Sequence, residues 1–364
     1  MPAVHAARRG RLAAKVAAEG ADAALITHLV NVRYLTGLAS SNAALLMPAG
    51  EAGALLATDS RYALAAERDA PDLELVIDRR IESALAREAI HRGYRRILFE
   101  AQEMTVERFQ ALGAVLGGRP EGCELAPLGR YVEKMREVKD DEELALLRTA
   151  CELSSRALED VLPRVRPGLT ERQLAAALEQ RMIELGAEKP SFDTIVASGP
   201  NGAIPHHVPT GRAIERGDLV VIDFGAQYGG YHADMTRTVC LGEPAGWQRD
   251  LYQLVAAAQR AGTAAARPGA ELGAVDAAAR DLIADAGHAS HFQHGLGHGV
   301  GLEVHEEPLI SSGKTGKLGD RVPVTIEPGV YLPGEGGVRI EDTLAVRAGA
   351  TELLTTFTKD LLVL

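Results

Sequence analysis

One stretch of the chain is written twice. Arg166-Pro167-Gly168 precedes a helical run that ends at Gly186, and Arg267-Pro268-Gly269 precedes another that ends at Gly287. Every one of these positions is offset by 101 residues (166 to 267, 186 to 287). The first run opens at Thr170 with Gln173 three residues on, the pattern of a capping box. Gly186 then stands where a helix commonly closes on a left-handed residue. An Arg-Pro-Gly triplet is common by chance, but a matched helix length behind it is not. The pattern predicts a domain of two similar halves, with its cleft between them.

A length of 364 residues leaves room for a second domain, since domains run to ~100–200 residues. The first 130 residues alternate helix and strand signals. Helices are expected at 8–19, 60–68, 81–91 and 105–116, and strands at 23–27, 43–47, 54–58, 73–77 and 96–99. That is an α/β layer arrangement. It holds no phosphate-binding glycine loop and no cluster of catalytic residue types, so a structural or dimerising role is expected. A charged segment, 131–143, is taken as the linker, and the second domain, 144–364, opens on a long helix at 144–162.

Composition removes several function classes. Lys and Arg number 39 against 50 Asp and Glu, a net charge of −11; a duplex-binding protein needs a basic face instead. Aromatic residues at 4% are too few for a base-stacking platform. Cys123, Cys151 and Cys240 form neither a disulfide framework nor a zinc knuckle, which suits a reducing compartment. The N-terminus has no signal-peptide core, and no apolar run reaches the ~20 residues of a membrane span. The expectation is a cytoplasmic protein without nucleic-acid or membrane partners.

The chemistry lies in two hairpins. Val221-Ile222-Asp223-Phe224-Gly225 and Ala233-Asp234-Met235-Thr236 flank the glycine-rich turn at 227–230. A turn centred on Tyr228-Gly229 would set Asp223 opposite Asp234, with Cβ atoms ~5 Å apart on one sheet face. Aspartate is a poor strand residue, and two facing ones need a compensating positive charge. Further on, Ile326-Glu327-Pro328-Gly329 and Arg339-Ile340-Glu341-Asp342 pair about Gly334, which sets Glu327 opposite Glu341, provided no bulge intervenes. Surface decoration does not explain the same device twice inside apolar strands.

Histidines complete the pattern. Of eleven, three fall in the glycine-rich segment His294–His305 (His294, His298, His305), and His206-His207 follow the turn-rich Pro200–Pro205. A lone histidine is more often structural; five such residues in loops around an acidic cleft indicate ligation and proton transfer. Four carboxylates with an imidazole make a mostly oxygen ligand set, suited to divalent ions such as Mn2+ or Co2+. Such a set can hold two ions ~3.5–4 Å apart and acidify a shared water to pKa ~7.

These segments, with Ala233–Thr238 and His294–Glu306, resemble the pita-bread metallopeptidases, in the branch of Xaa-Pro aminopeptidase (aminopeptidase P) and prolidase. The resemblance spans the whole chain, because that branch also carries a creatinase-like N-terminal α/β domain, whose recurrent segment Asn31–Gly37 is similar to. It implies an α+β pita-bread catalytic domain with a pseudo-twofold repeat. It also implies five ligands for two divalent ions, taken as Mn2+ with Co2+ or Zn2+ as alternatives: Asp223, Asp234, His298, Glu327 and Glu341. Asp234 and Glu341 would bridge both ions. His206, His294 and His305 would be non-ligand histidines that orient the peptide or move protons. Glu327 would take the proton of the bridging water, and Arg339 would fix carboxylate geometry. His207 stands where the family often has a small residue, and has no assigned role. A homodimer is also implied.

Within that branch, attack of a metal-bridging hydroxide is expected to release the N-terminal residue from peptides with proline at position 2. A prolidase must recognise the free carboxylate of a dipeptide, and a basic residue is the simplest device. Some prolidases place an arginine where this chain has Leu309, so the expectation leans to an aminopeptidase acting on Xaa-Pro-Zaa, with Xaa-Pro dipeptidase as the alternative. A non-catalytic binding module and a metal-free creatinase-like hydrolase both predict missing carboxylates, which this chain retains.

Overall fold

In the computed structural model, which describes residues 2–50, 53–117 and 122–364, the chain divides into two compact units, Met1–Arg136 and Glu137–Leu364. The first is built on a six-stranded sheet. Its strands are β1 (Ala23–Ile26), β2 (Ala43–Pro48), β3 (Leu55–Thr58), β4 (Glu74–Ile77), β5 (Arg96–Phe99) and β6 (Glu124–Pro127), in the order β4-β3-β2-β1-β5-β6. β1, β2 and β3 run antiparallel, whereas β4, β5 and β6 join in parallel. The helices are α1 (Pro2–Ala18), α2 (Leu29–Thr36), α3 (Ala63–Asp69), α4 (Ile81–His91), α5 (Val106–Leu116) and α6 (Tyr131–Glu137). Leu85 of α4 and Leu112 and Leu116 of α5 pack on Leu25, Leu46, Leu55 and Ile97 of the sheet.

The second unit realises the repeat. Its first half pairs α7 (Asp141–Val161) and α8 (Glu171–Glu184) with the antiparallel strands β8 (Ile195–Ser198), β9 (Leu219–Phe224) and β12 (Met235–Cys240). The second half pairs α9 (Gly246–Ala265) and α10 (Leu272–Ile283) with β13 (Gly297–Gly299), β14 (Glu306–Ile310), β15 (Val322–Ile326), β18 (Asp342–Val346) and β19 (Glu352–Leu353). α8 and α10 begin at residues 171 and 272, the same 101-residue offset. Gly168 and Gly269 are left-handed, as are Gly186 and Gly287. Each half has its own core: Leu158, Leu178, Val220 and Phe224 in one, Val255, Val275, Val324 and Leu344 in the other. Burial of a Val or Leu side chain contributes about 1.5–3 kcal/mol, so each half-sheet is held chiefly by the two helices on it. Three short pieces complete the unit: β7 (Lys189–Pro190), β10 (Ala226–Tyr228) with β11 (Tyr231–His232), and the hairpin β16 (Gly329–Leu332) with β17 (Gly336–Arg339).

Two sequence expectations need correction. Residues 131–143 are not a simple linker: α6 covers Tyr131–Glu137, and α7 starts at Asp141. The reason is local, since Asp140 and Glu143 form a reciprocal capping box that starts the helix three residues before Leu144. The first hairpin turns on Gly229-Gly230 rather than Tyr228-Gly229. Both glycines have positive φ (58° and 84°), as a type I′ turn requires, and a tyrosine there would be strained. Asp223 therefore faces Thr236, not Asp234. Asp234 lies two residues before Thr236, so the aspartates are diagonal neighbours. The second hairpin keeps one register on both sides of its break: Gly329 pairs with Arg339, and Ile326 with Asp342. Glu327 and Glu341 thus occupy opposed positions.

Candidate active site

A bridge between Thr236 and Glu341 joins the two half-sheets. Glu341 N donates to Thr236 O (3.1 Å), and Thr236 Oγ1 donates to Glu341 Oε2 (2.7 Å). This contact brings the carboxylates of the first half against those of the second. One carboxylate oxygen from each of Asp223, Asp234 and Glu341 lies within 4.8 Å of the others, and His298, Glu327 and Glu341 form a second such set. Glu341 belongs to both. His305 enters a third set with Asp234 and His298, its ring centroid 4.4 Å from that of His298.

Close backbone approach sets these positions. A Cβ on Gly225 would lie 1.8 Å from Ala233 O, and one on Gly297 would lie 1.9 Å from Thr325 O. Each glycine stands within two residues of a cluster member, Asp223 or His298. Only glycine allows the backbones that close. Thr325 Oγ1 accepts from His298 N (3.1 Å) and reaches Glu327 Oε1 (3.3 Å), which ties the imidazole strand to the glutamate.

The electrostatics of the cluster favour a cation. Among the described residues, four buried or half-buried carboxylates face one arginine, Arg339, whose Nη2 donates to Asp223 Oδ2 (2.7 Å). Burial, then the charges of Glu341 and Asp223, raise Asp234 well above the usual carboxylate range. Burial, then Glu327 and Asp223, do the same to Glu341. Glu327 is pushed up by burial to about 8. Asp223 Oδ1 and Glu341 Oε1 are buried and accept no hydrogen bond among the described residues. Orphaned carboxylate oxygens at that density are costly unless ions occupy the space between them. His298 fits the same reading. Its Nδ1 donates to Gly299 O (2.9 Å), which leaves the Nε2 lone pair facing Glu327 (3.4 Å) and Asp234 (3.6 Å). Burial holds its pKa at about 4, so it is the neutral ligand form. The residues present therefore fit a pair of divalent ions.

A second chain of bonds was not legible in the sequence because it runs through Tyr331. Arg339 Nη1 donates to Tyr331 Oη (2.8 Å), and Tyr331 Oη lies 2.9 Å from His294 Nε2. His294 Nδ1 donates to Gly295 O (2.8 Å), and burial lowers its pKa to about 4. The imidazole is then neutral with its Nε2 accepting from tyrosine, and both ring nitrogens are engaged. Arg280 holds the same loop, donating to Phe292 O (2.9 Å) and His294 O (2.7 Å) while paired with Asp276.

His206 and His305 lie at the mouth of a cavity of about 870 Å3 that reaches down to the five-residue cluster. Arg172, Phe192, Val208 and Leu309 also line it. His207 turns away from the cluster to Glu171, with Nε2 2.9 Å from Oε2. Every site residue expected from the sequence thus lines one cavity.

Residues 145–348 match the model of metallopeptidase family M24, and residues 8–138 match that of the creatinase/prolidase N-terminal domain. The chain belongs to metallopeptidase family M24. It is 36% identical to a Xaa-Pro dipeptidase of Pyrococcus horikoshii, over 94% of each chain. It is 38% identical to an uncharacterized peptidase of Bacillus subtilis, over 95% of this chain and 96% of that one. Among solved structures, a Xaa-Pro dipeptidase from Bacillus anthracis superposes with a TM-score of 0.94 at 34% identity, covering 99% of this chain and 100% of that one. An X-Pro aminopeptidase from Thermotoga maritima gives 0.88 at 35%, covering 95% and 98%. The architecture is therefore a creatinase-type N-terminal domain followed by a pita-bread catalytic domain, and the protein is a metal-dependent peptide hydrolase of a dinuclear family. No helix among the described residues is long and apolar enough to cross a membrane.

Proposed function

We propose that this M24 peptidase is an Xaa-Pro dipeptidase, not the aminopeptidase that Leu309 suggested. The names of its relatives lean that way, and one observation in the cavity carries the reading. A dipeptide presents a free carboxylate next to the scissile bond, which needs a cationic partner to leave water. The cavity holds two arginines. Arg339 is committed to Asp223. Arg172 is not: its Nε donates to Pro209 O (3.2 Å), and no described carboxylate pairs with its guanidinium. The lack of an arginine at position 309 is then met from the first turn of α8.

Two divalent ions, Mn2+ by the oxygen-rich donor set, supply Lewis acidity and a water acidic at about pH 7 when bound. Asp223, Asp234, His298, Glu327 and Glu341 would hold them. Glu327 would be the carboxylate that accepts and returns a proton beside the ions. His206 and His305, the exposed imidazoles at the mouth, meet the peptide; His294, with both nitrogens engaged, braces the wall. Arg339 keeps Asp223 and Tyr331 in register.

The aminopeptidase reading retains the cavity's size, Leu309 in its wall and the Thermotoga maritima neighbour in its favour. The test compares kcat/KM of the Mn2+-loaded enzyme on Ala-Pro and on Ala-Pro-Ala. A dipeptidase prefers Ala-Pro, and Arg172→Met removes about 10- to 100-fold of that preference, the worth of a charge-assisted bond. A preference for the tripeptide in the unaltered enzyme would leave the aminopeptidase reading standing.

A further inference from the structure

Among the described residues His206 has no hydrogen bond of its own to fix it, yet the residues on either side of it are pinned. On one side, Arg339 Nη1 donates to Pro205 O (3.2 Å). On the other, His207 Nε2 bonds Glu171 Oε2 (2.9 Å). Glu171 is the first residue of α8 and is fully buried. Its two oxygens take five further bonds, all from the segment that carries His206. Oε1 accepts from Ser198 N and Oγ (both 2.8 Å) and from Asn201 Nδ2 (2.9 Å). Oε2 accepts from Thr210 N (2.9 Å) and Oγ1 (2.7 Å).

Six donors on one carboxylate make an unusual structural device. Burial alone would raise the pKa of Glu171, but the bonds from Thr210, Asn201, His207 and Ser198 outweigh it and hold the group at about 2. The first turn of a helix also favours negative charge. The donors come from both ends of the loop between β8 and Thr210, so one side chain closes the loop across its base. The loop is otherwise exposed at its tip, where Ile204 and Val208 face solvent.

We infer that Glu171 and His207 are positioning residues that lock the loop Ser198–Thr210 and thereby hold His206 over the metal-binding cluster. This gives His207, which sequence alone leaves without a role, the task of coupling its neighbour to the helix. The inference rests on the proposal that His206 meets the peptide. Its cost when lost is orientational: a displacement of about 1 Å at a catalytic group can cost 10²-fold in rate.

The experiment is a double-mutant cycle on the metal-loaded enzyme, with kcat and KM measured on Ala-Pro and bound Mn2+ assayed in each variant. His207→Ala should lower kcat by about 10-fold or more with metal content intact, and His207→Gln, which can still donate to Glu171, should recover most of it. In a His206→Ala background, His207→Ala should cost less than about 2-fold, because the group it positions is gone. Glu171→Gln should follow the same pattern; where it fails to fold, the His207 pair decides. Equal losses from His207→Ala in both backgrounds would overturn the lock. A His206→Ala enzyme with unaltered kcat would instead overturn the role of His206, which separates the two failures.

Discussion

Asp234 and Glu341 sit between the two sides of the cluster, because each lies within reach of His298 or Glu327 on one side and Asp223 on the other. Their shared burial raises both well above the ordinary carboxylate range, and it raises Glu327 to about 8. At pH 7 a chelated sample therefore carries a proton on Glu327, and metal ions must displace it. The sign follows directly: ligation favours the ionised form, so loading releases protons, and the release shrinks as the pH passes 8 and Glu327 ionises unaided. Calorimetric titration with Mn2+ in two buffers of different ionisation enthalpy measures this, with about one proton or more released per chain at pH 7. Loading without proton release at pH 7, or with more release at pH 9 than at pH 7, would contradict the assignment.

At the scale of elements, β13 is the least conventional strand and the most exposed to substitution. It is three residues long, contains two glycines, and carries His298 between them. Gly297→Ala would drive a Cβ into Thr325 O, so β13 must part from β15. The expected cost is at least the 1–3 kcal/mol of an overpacked site, read as a lowered thermal midpoint, together with weaker Mn2+ binding because His298 moves with the strand. Unchanged stability and metal affinity would show that the close approach does not position His298. The strand pattern of the second hairpin was legible from the sequence, since Glu327 and Glu341 fall in one register about Gly334. The first was misread by one residue because apolar alternation fixes which face a residue takes but not the turn that sets the register. There the rule that decides is steric, the need for two left-handed residues. α2 and β6 also have no clear sequence signal. α2 contains Val32 and Tyr34 and runs only eight residues; it is held by tertiary bonds, with Asn31 donating to Glu100 (2.6 Å) and accepting from Arg136 (2.8 Å). Tyr331 could not be picked out either, because its role depends on Arg339 and His294 meeting it across separate elements.

Over the whole molecule, duplication explains why a site so acidic can exist. Each half folds around its own apolar core, and neither core has to absorb the carboxylates, which lie where the half-sheets join at Thr236 and Glu341. The 101-residue echo made that cleft legible, and the carboxylates within apolar strands made its chemistry legible. Substrate length was not, because position 309 speaks only for itself, and Arg172, which lines the same cavity, stands on α8, far away in sequence. Five side chains from the two halves are placed to hold two divalent ions. The direct measurement is stepwise addition of Mn2+ to chelated protein, with bound metal and Ala-Pro hydrolysis followed in the same samples. The expected result is two ions per chain, hydrolysis that rises with loading, and loss of both in Asp234→Ala and Glu341→Ala. Hydrolysis at full rate in chelated protein, or in either variant without bound metal, would contradict it.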